Sequence, residues 1–230
     1  MTAHRSLVLA VFLTVAPFVG GPVVAAQCDS CVLDFTGGSP LTFGADATVG
    51  WKFTVTPGST ITIEGLGIFD VGGNGLAESH QIGLWTSSGG SPLVSATIDN
   101  ANSTPVASMS NLGNWLSTPI ASRQLTPGDY VVGAFYTHGK DAFITRATAS
   151  TISGVTWDEY RAAVGSSLLF PDPFTAESSP AGFFGPNLFT ATPAPAVPEP
   201  TSLILLGSGL AGLIAWRKRR AKYGEKPSAV

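Results

Sequence analysis

Charge, cysteine and histidine are all scarce in this 230-residue chain, and each shortage removes a class of function. Charged residues make up only 12%, about half the usual share, so long solvated surface helices are not expected. Two cysteines are too few for a four-thiolate zinc site, which needs a second pair. They stand as Cys28-Asp-Ser-Cys31, and no thioredoxin-like βαβ pattern surrounds them, so redox chemistry is not expected. The spacing leaves two alternatives, a local disulfide or two thiols in a flexible N-terminal stretch. Beyond the first 26 residues only His80 and His138 remain for proton or metal chemistry. No Gly-x-Ser-x-Gly elbow accompanies them, and each is expected as a strand or turn residue.

Basic residues are scarcest where a body would fold. Six of the 12 lie at the extreme C-terminus: Arg217, Lys218, Arg219, Arg220, Lys222 and Lys226. Residues 27–196 hold five basic and 13 acidic residues, a formal charge of −8. An acidic body with no basic stripe excludes nucleic acid as a partner and admits loosely held cations.

Glycine (27) and proline (17) are plentiful, and the apolar share of 44% is ample for a core. Strand-length apolar runs separated by Gly, Pro, Asn and Ser predict strands over 48–55, 60–70, 79–86, 92–98, 115–125, 129–136 and 143–148. Thr126-Pro-Gly-Asp129 is a turn signal feeding the last but one. Thr156 and Glu159 have capping-box spacing and predict one short helix over 157–164. The expected fold is all-β, a single antiparallel sandwich or jelly roll over residues 27–192, with no internal repeat.

Both ends read differently from the body. Residues 1–26 carry a small basic start at His4-Arg5 and an apolar run over 7–15. Helix breakers follow at Pro17 and 20–22, and small residues at Val24-Ala25-Ala26, the pattern of a cleaved secretory signal. Gln27 before Cys28 is not the small residue that lipid attachment requires. At the other end a Pro/Ala linker closes on Val197, Pro198, Glu199 and Pro200. An apolar segment over 201–216 follows, then the cluster Arg217, Lys218, Arg219, Arg220. At about 1.5 Å per residue the segment reaches roughly 24 Å, short of the ~30 Å hydrocarbon core. It spans with local thinning and with Trp216 at the interface. The basic cluster predicts a cytoplasmic C-terminus, with the body outside the inner membrane. Gly207-Ser-Gly-Leu-Ala-Gly212 within this segment matches a dinucleotide fingerprint but lacks its strand, helix and acidic residue, so it is rejected.

Pro198-Glu199-Pro200, a short membrane helix and an Arg-rich end, in that order, resemble the PEP-CTERM sorting signal of Gram-negative bacteria. The resemblance implies that an exosortase recognises residues 193–230, cuts near Pro198-Glu199-Pro200 and releases the protein to the cell surface or extracellular matrix. It also implies an association with exopolysaccharide and biofilm. The extension over 221–230 is longer than the family's usual end. In the body, Val49-Gly-Trp-Lys-Phe-Thr-Val55, 61–70, His80-Gln-Ile-Gly-Leu-Trp85 and 125–132 resemble a β-sandwich domain of secreted bacterial proteins. Phe183-Phe-Gly-Pro-Asn187 resembles a closing segment of PEP-CTERM proteins.

The remaining chemistry is thin. Glu64, Asp70 and Glu78 are candidates for a glycoside-hydrolysing carboxylate pair, and turn carboxylates are the plainer account. The turn Asp70-Val-Gly-Gly-Asn74 lacks an EF-hand oxygen pattern, and a structural Ca²⁺ there is the one candidate cofactor. Trp51, Trp85, Trp115 and Trp157 are candidates for a sugar-stacking platform, against the alternative that they fill the core. No catalytic residue is assigned. The expected function is that of an exosortase-sorted, non-enzymatic surface or matrix protein with glycan binding as its specific version. A secreted hydrolase of polysaccharides or esters is the competing class.

Overall fold

Alternating apolar residues sort most of the chain into strands with an inner and an outer face. The computed structural model describes residues 28–174 and 182–191, which form twelve β-strands and no helix. β2 (Ala47–Val55), β4 (His80–Thr86), β5 (Val94–Ile98), β8 (Gly128–Tyr136), β10 (Val155–Val164) and β11 (Asp172–Pro173) make one sheet in the order β11-β10-β2-β8-β4-β5. β3 (Ile61–Val71), β6 (Thr104–Val106), β7 (Gly113–Leu125) and β12 (Pro186–Thr190) make a second, ordered β12-β3-β7-β6. β1 (Leu33–Leu41) and β9 (Phe143–Thr151) pair as a separate ribbon. Every pairing is antiparallel.

The inner faces of the two larger sheets share one apolar core. Trp51 and Phe53 of β2, Ile63, Leu66 and Ile68 of β3, and Trp115 of β7 are all fully buried in it. Phe35 of β1 is an aromatic hub, with ring centroids 4.8 Å from Phe69, 5.6 Å from Trp115 and 5.4 Å from Phe184. Each such pair adds about 0.5–1.5 kcal/mol beyond its burial. Polar pins cross between the layers. The Trp51 indole donates to the Pro186 carbonyl at 2.8 Å. Fully buried Asn187 donates to the Leu33 carbonyl at 2.6 Å and accepts the Leu33 N–H at 3.3 Å, standing in for a strand backbone. Phe183 to Asn187 thus closes the core, and its β12 edge is completed by residues 30–32, where Val32 N–H donates to Leu188 O at 2.8 Å.

The outer face of the large sheet is also covered, and glycine makes that possible. Gly50, Gly133 and Gly83 stand in register across β2, β8 and β4. Trp85 lies over Gly83, closer than an added Cβ would permit, and Pro171 packs tightly over Gly133. Phe170 packs edge-on against Trp85 at 5.9 Å, and the Arg161 guanidinium sits 5.9 Å from the Phe170 ring. Trp85 is consequently buried although it points away from the main core.

The helix expected over 157–164 is strand β10. Its period is disguised by a bulge between Trp157 and Glu159, which leaves Asp158 unpaired in the register with β2. Asp158 reaches Lys52 at 3.6 Å and accepts the Thr54 hydroxyl at 2.8 Å. The long pairing with β2 outweighs a local capping preference worth about 1 kcal/mol. The two cysteines are joined, with Cα atoms 5.3 Å apart, and both are buried in the core cluster, not set in a loose N-terminal stretch.

The register also orients the domain. Thr190 N–H donates to Ser30 O at 2.8 Å, so the two ends of the described domain leave side by side, at the pole of the 56–60 and 126–127 turns. Loop 72–79 and turn 137–142 lie at the opposite pole.

One residue of the ribbon is strained. Arg146, exposed on β9, has φ of 59°, a left-handed value that costs a side chain-bearing residue about 1–2 kcal/mol. We expect Arg146→Gly to stabilise the domain by about 0.5–1 kcal/mol, after the entropy of an added glycine is subtracted. A rise in the urea midpoint at unchanged slope checks this; a fall would mean that the arginine side chain does more than its conformation costs.

Candidate functional site

Loop 72–79 leaves β3 at a glycine-rich turn and must be tied down to deliver His80 to the start of β4. Asp70, buried at the end of β3, accepts the Gly75 N–H at 2.8 Å. Asn100 grips Leu76 from both sides, accepting its N–H at 2.8 Å and donating to its carbonyl at 2.9 Å. Asp141, from turn 137–142, accepts the N–H groups of Ala77 at 3.0 Å and Glu78 at 3.2 Å. Glu78 in turn accepts the Thr137 N–H at 3.0 Å, so loop and turn are laced together.

His80 sits beneath this lacing with no solvent exposure. Its Nδ1 lies 2.8 Å from the Phe135 carbonyl oxygen and its Nε2 lies 2.9 Å from Asp141 Oδ2. Tyr136 tilts against the imidazole with ring centroids 4.6 Å apart. Burial, and secondarily the Asp141 charge, pushes the Tyr136 phenol well above its usual range. At Asp141 burial pulls upward, but the His80 hydrogen bond and the Ala77 and Glu78 N–H groups outweigh it and hold the carboxyl below its ordinary value. A depressed carboxylate stabilises the fold above its unfolded pKa and loses that contribution as pH falls through the folded value. Glu78, His80 and Asp141 each offer a ligand atom within 4.8 Å of the others. A cavity of about 490 Å³ opens beside Asp141, lined also by Asn74, Gly75, Leu76, Ala77 and Lys140; Glu78 and His80 do not line it.

The other candidates are dispersed. Glu64 is exposed on β3 beside Ser30 and Phe189, six residues and roughly 20 Å of strand from Asp70. Asp70 itself is buried on Gly75, so these two do not flank a common cleft. His138 is exposed and takes its place in the turn through the Phe43 carbonyl, 2.8 Å from Nδ1. Trp51 and Trp115 are fully buried and Trp85 is nearly so; none of the three can stack on a sugar. Trp157 alone is partly exposed. It lines a cleft of about 500 Å³ with Phe184, Ala147, Thr148, Thr151 and Thr156. The sorting residues Val197, Pro198, Glu199, Pro200, Arg217, Lys218, Arg219 and Arg220 lie outside the described residues, as do the signal segment 1–26 and the apolar segment 201–216. Among the described residues no helix is long and apolar enough to cross a membrane.

Sequence reasoning missed Asp141 and Asp34. Asp141 stands 61 residues from His80, and no local pattern joins them.

The tail is where comparison with known proteins is informative: the family model of the PEP-CTERM protein-sorting motif matches residues 196–220. The chain carries a PEP-CTERM sorting motif. The motif is the recognition signal of exosortase, and it marks the chain for export, transient membrane anchoring and delivery to the surface or the extracellular space. The match covers the tail and not the β-domain. No curated protein and no solved structure matches the chain.

Proposed function

We propose that this protein is a non-enzymatic surface or matrix protein, freed from the inner membrane by exosortase, whose β-domain works in the exopolysaccharide of a biofilm. The carrying observation is the sorting motif at 196–220, which begins five residues after the described domain ends at Ala191. The fold suits such tethering, because Ser30 and Thr190 lie side by side at one pole of the domain. The non-enzymatic reading draws on His80, whose two nitrogens are both engaged and neither of which faces a hydroxyl nucleophile. It also draws on the separation of Glu64 from Asp70.

Expressed in hosts with and without exosortase, the chain should show two mature masses. With the enzyme we expect loss of everything beyond the Pro198-Glu199-Pro200 region and recovery of the protein outside the cell. An intact tail in both hosts, retained in the inner membrane, would overturn the sorting reading.

Glycan contact is the finer version of this function, and its support is the cleft at Trp157 and Phe184. Its described lining carries threonine hydroxyls and no charged side chain, which suits a neutral glycosyl ring. Titration of the mature protein with soluble neutral polysaccharides should change tryptophan emission. Trp157→Ala should weaken that response at least fivefold, since stacking on one aromatic ring is worth on the order of 1 kcal/mol. Equal responses from both proteins would remove the cleft from consideration.

A further inference from the structure

We propose that Glu78, His80 and Asp141 form a binding site for a divalent metal ion of the zinc type. The proposal is independent of the sorting reading and of the Trp157 cleft.

The imidazole is the starting point. The Phe135 carbonyl, 2.8 Å from Nδ1, can only accept a hydrogen bond, so Nδ1 carries a proton. In the neutral ring the lone pair of Nε2 then points at Asp141 Oδ2, 2.9 Å away. Asp141 Oδ2 also accepts the Ala77 N–H at 3.0 Å and the Glu78 N–H at 3.2 Å, so it presents an acceptor, not a proton, to the imidazole. A nitrogen lone pair and a carboxylate oxygen do not rest at that distance without a cation between them. Either a proton or a metal fills the position.

Three features favour the metal. First, Nδ1–H on a backbone carbonyl is how metal-binding histidines are usually fixed in tautomer and orientation, and Asp141 is likewise oriented by Ala77 and Glu78 N–H groups. Second, a proton serves only the His80–Asp141 pair, whereas Glu78 brings a second carboxylate within 4.8 Å of both. An imidazolium with two carboxylates keeps a net negative charge in a partly buried place; a divalent ion on neutral imidazole cancels it. Lys140, the one basic residue lining the adjoining cavity, is exposed, and its charge is screened by water. Third, a cavity lies against Asp141, so one ligand of the set borders open space.

The donor set selects among metals. Ca²⁺ and Mg²⁺ take oxygen ligands in larger number, whereas one imidazole nitrogen with two carboxylates suits zinc. With bonds of about 2.1 Å, a tetrahedral ion needs its ligands roughly 3.4 Å apart. Binding therefore opens the His80–Asp141 pair by about 0.5 Å, a motion the turn at 137–142 can supply. The site would clamp loop 72–79 onto that turn, at the pole opposite the chain ends.

The test uses untagged, chelator-stripped mature protein titrated with ZnCl₂, by calorimetry and by thermal melting, with MgCl₂ and CaCl₂ in parallel. We expect one zinc per chain, a higher Tm in excess zinc, and no comparable response to magnesium or calcium. Glu78→Gln leaves the His80–Asp141 pair intact and should weaken zinc at least tenfold; Asp141→Asn should abolish the response. His138→Ala, which alters an exposed histidine outside the cluster, should leave the titration unchanged. Absence of a zinc effect on the wild type would mean that a proton alone fills the pair. An affinity that Glu78→Gln leaves unaltered, or that His138→Ala removes, would equally overturn the site.

Discussion

Replacing Asp34 by alanine is expected to cost about 3–5 kcal/mol, among the largest effects any single substitution in this domain should have. Asp34 is only 4% exposed, and no basic side chain answers its charge among its hydrogen-bond partners. Four donors converge on the carboxylate instead. They are the Phe35 N–H at 2.9 Å, the Met109 N–H at 2.8 Å, the Ser108 hydroxyl at 2.6 Å and the Trp115 indole at 3.1 Å. The carboxylate therefore joins the ribbon strand β1 to the segment before β7 and to the aromatic hub. Alanine would strand these donors in a place that water does not reach, each at about 1–3 kcal/mol before relaxation. Asp34→Asn is the informative companion substitution. The amide oxygen it introduces can still accept from some of the donors, but its NH₂ group faces others, so Asp34→Asn should fall between alanine and the wild type. Urea unfolding with a common slope would measure the series. A loss below about 1 kcal/mol for alanine would mean that β1 is held by its pairing with β9 alone.

Asp34 also shows why parts of this fold were legible in the sequence and others were not. Strands in which apolar and polar residues alternate, or which run apolar between clear turns, were readable to within a few residues. β2, expected over 48–55, runs Ala47–Val55, and β8, expected over 129–136, runs Gly128–Tyr136. β1 was not readable, because Gly37, Gly38 and Pro40 interrupt it and its partner β9 lies about a hundred residues on. A carboxylate between Leu33 and Phe35 looks like a turn residue until Ser108, Met109 and Trp115 arrive from elsewhere. The candidate metal cluster divides in the same way. His80 is expected in a strand, and it opens β4, while Glu78 is expected to pair, if at all, with Glu64 or Asp70. Asp141 completes the cluster only through the β8–β9 turn. The sorting tail was legible for the opposite reason: its three parts are contiguous, so composition and order suffice.

Gly50→Ala should be about as damaging as Asp34→Ala, and for a reason of space alone. An added Cβ at Gly50 would lie 1.9 Å from the Val132 carbonyl oxygen and 2.7 Å from the Gly133 Cα. Both obstacles are backbone of β8, and β2 and β8 are interior strands of the six-stranded sheet, so nothing can step aside without parting the two. A cost of roughly 3 kcal/mol or more follows. Two other glycines calibrate this figure. Gly58, with φ of 84° and nothing within 4 Å, should lose only the left-handed penalty of about 1 kcal/mol on becoming alanine. Gly133 would meet the Thr48 methyl at 2.9 Å and the Pro171 ring at 3.0 Å, side chains that can move, and should fall between the two. The glycine row is what lets residues 169–171 lie flat against the sheet and shut Trp85 away from solvent. Gly50→Ala should therefore shift tryptophan emission to the red as Trp85 becomes wet, and should open the 165–171 segment to protease well below the melting temperature. A variant that melts within about 1 kcal/mol of the wild type, with unshifted emission, would mean that β2 and β8 are not paired with Gly50 opposite Gly133. Trp85 would then return as a candidate sugar platform beside Trp157, because its burial depends on that register.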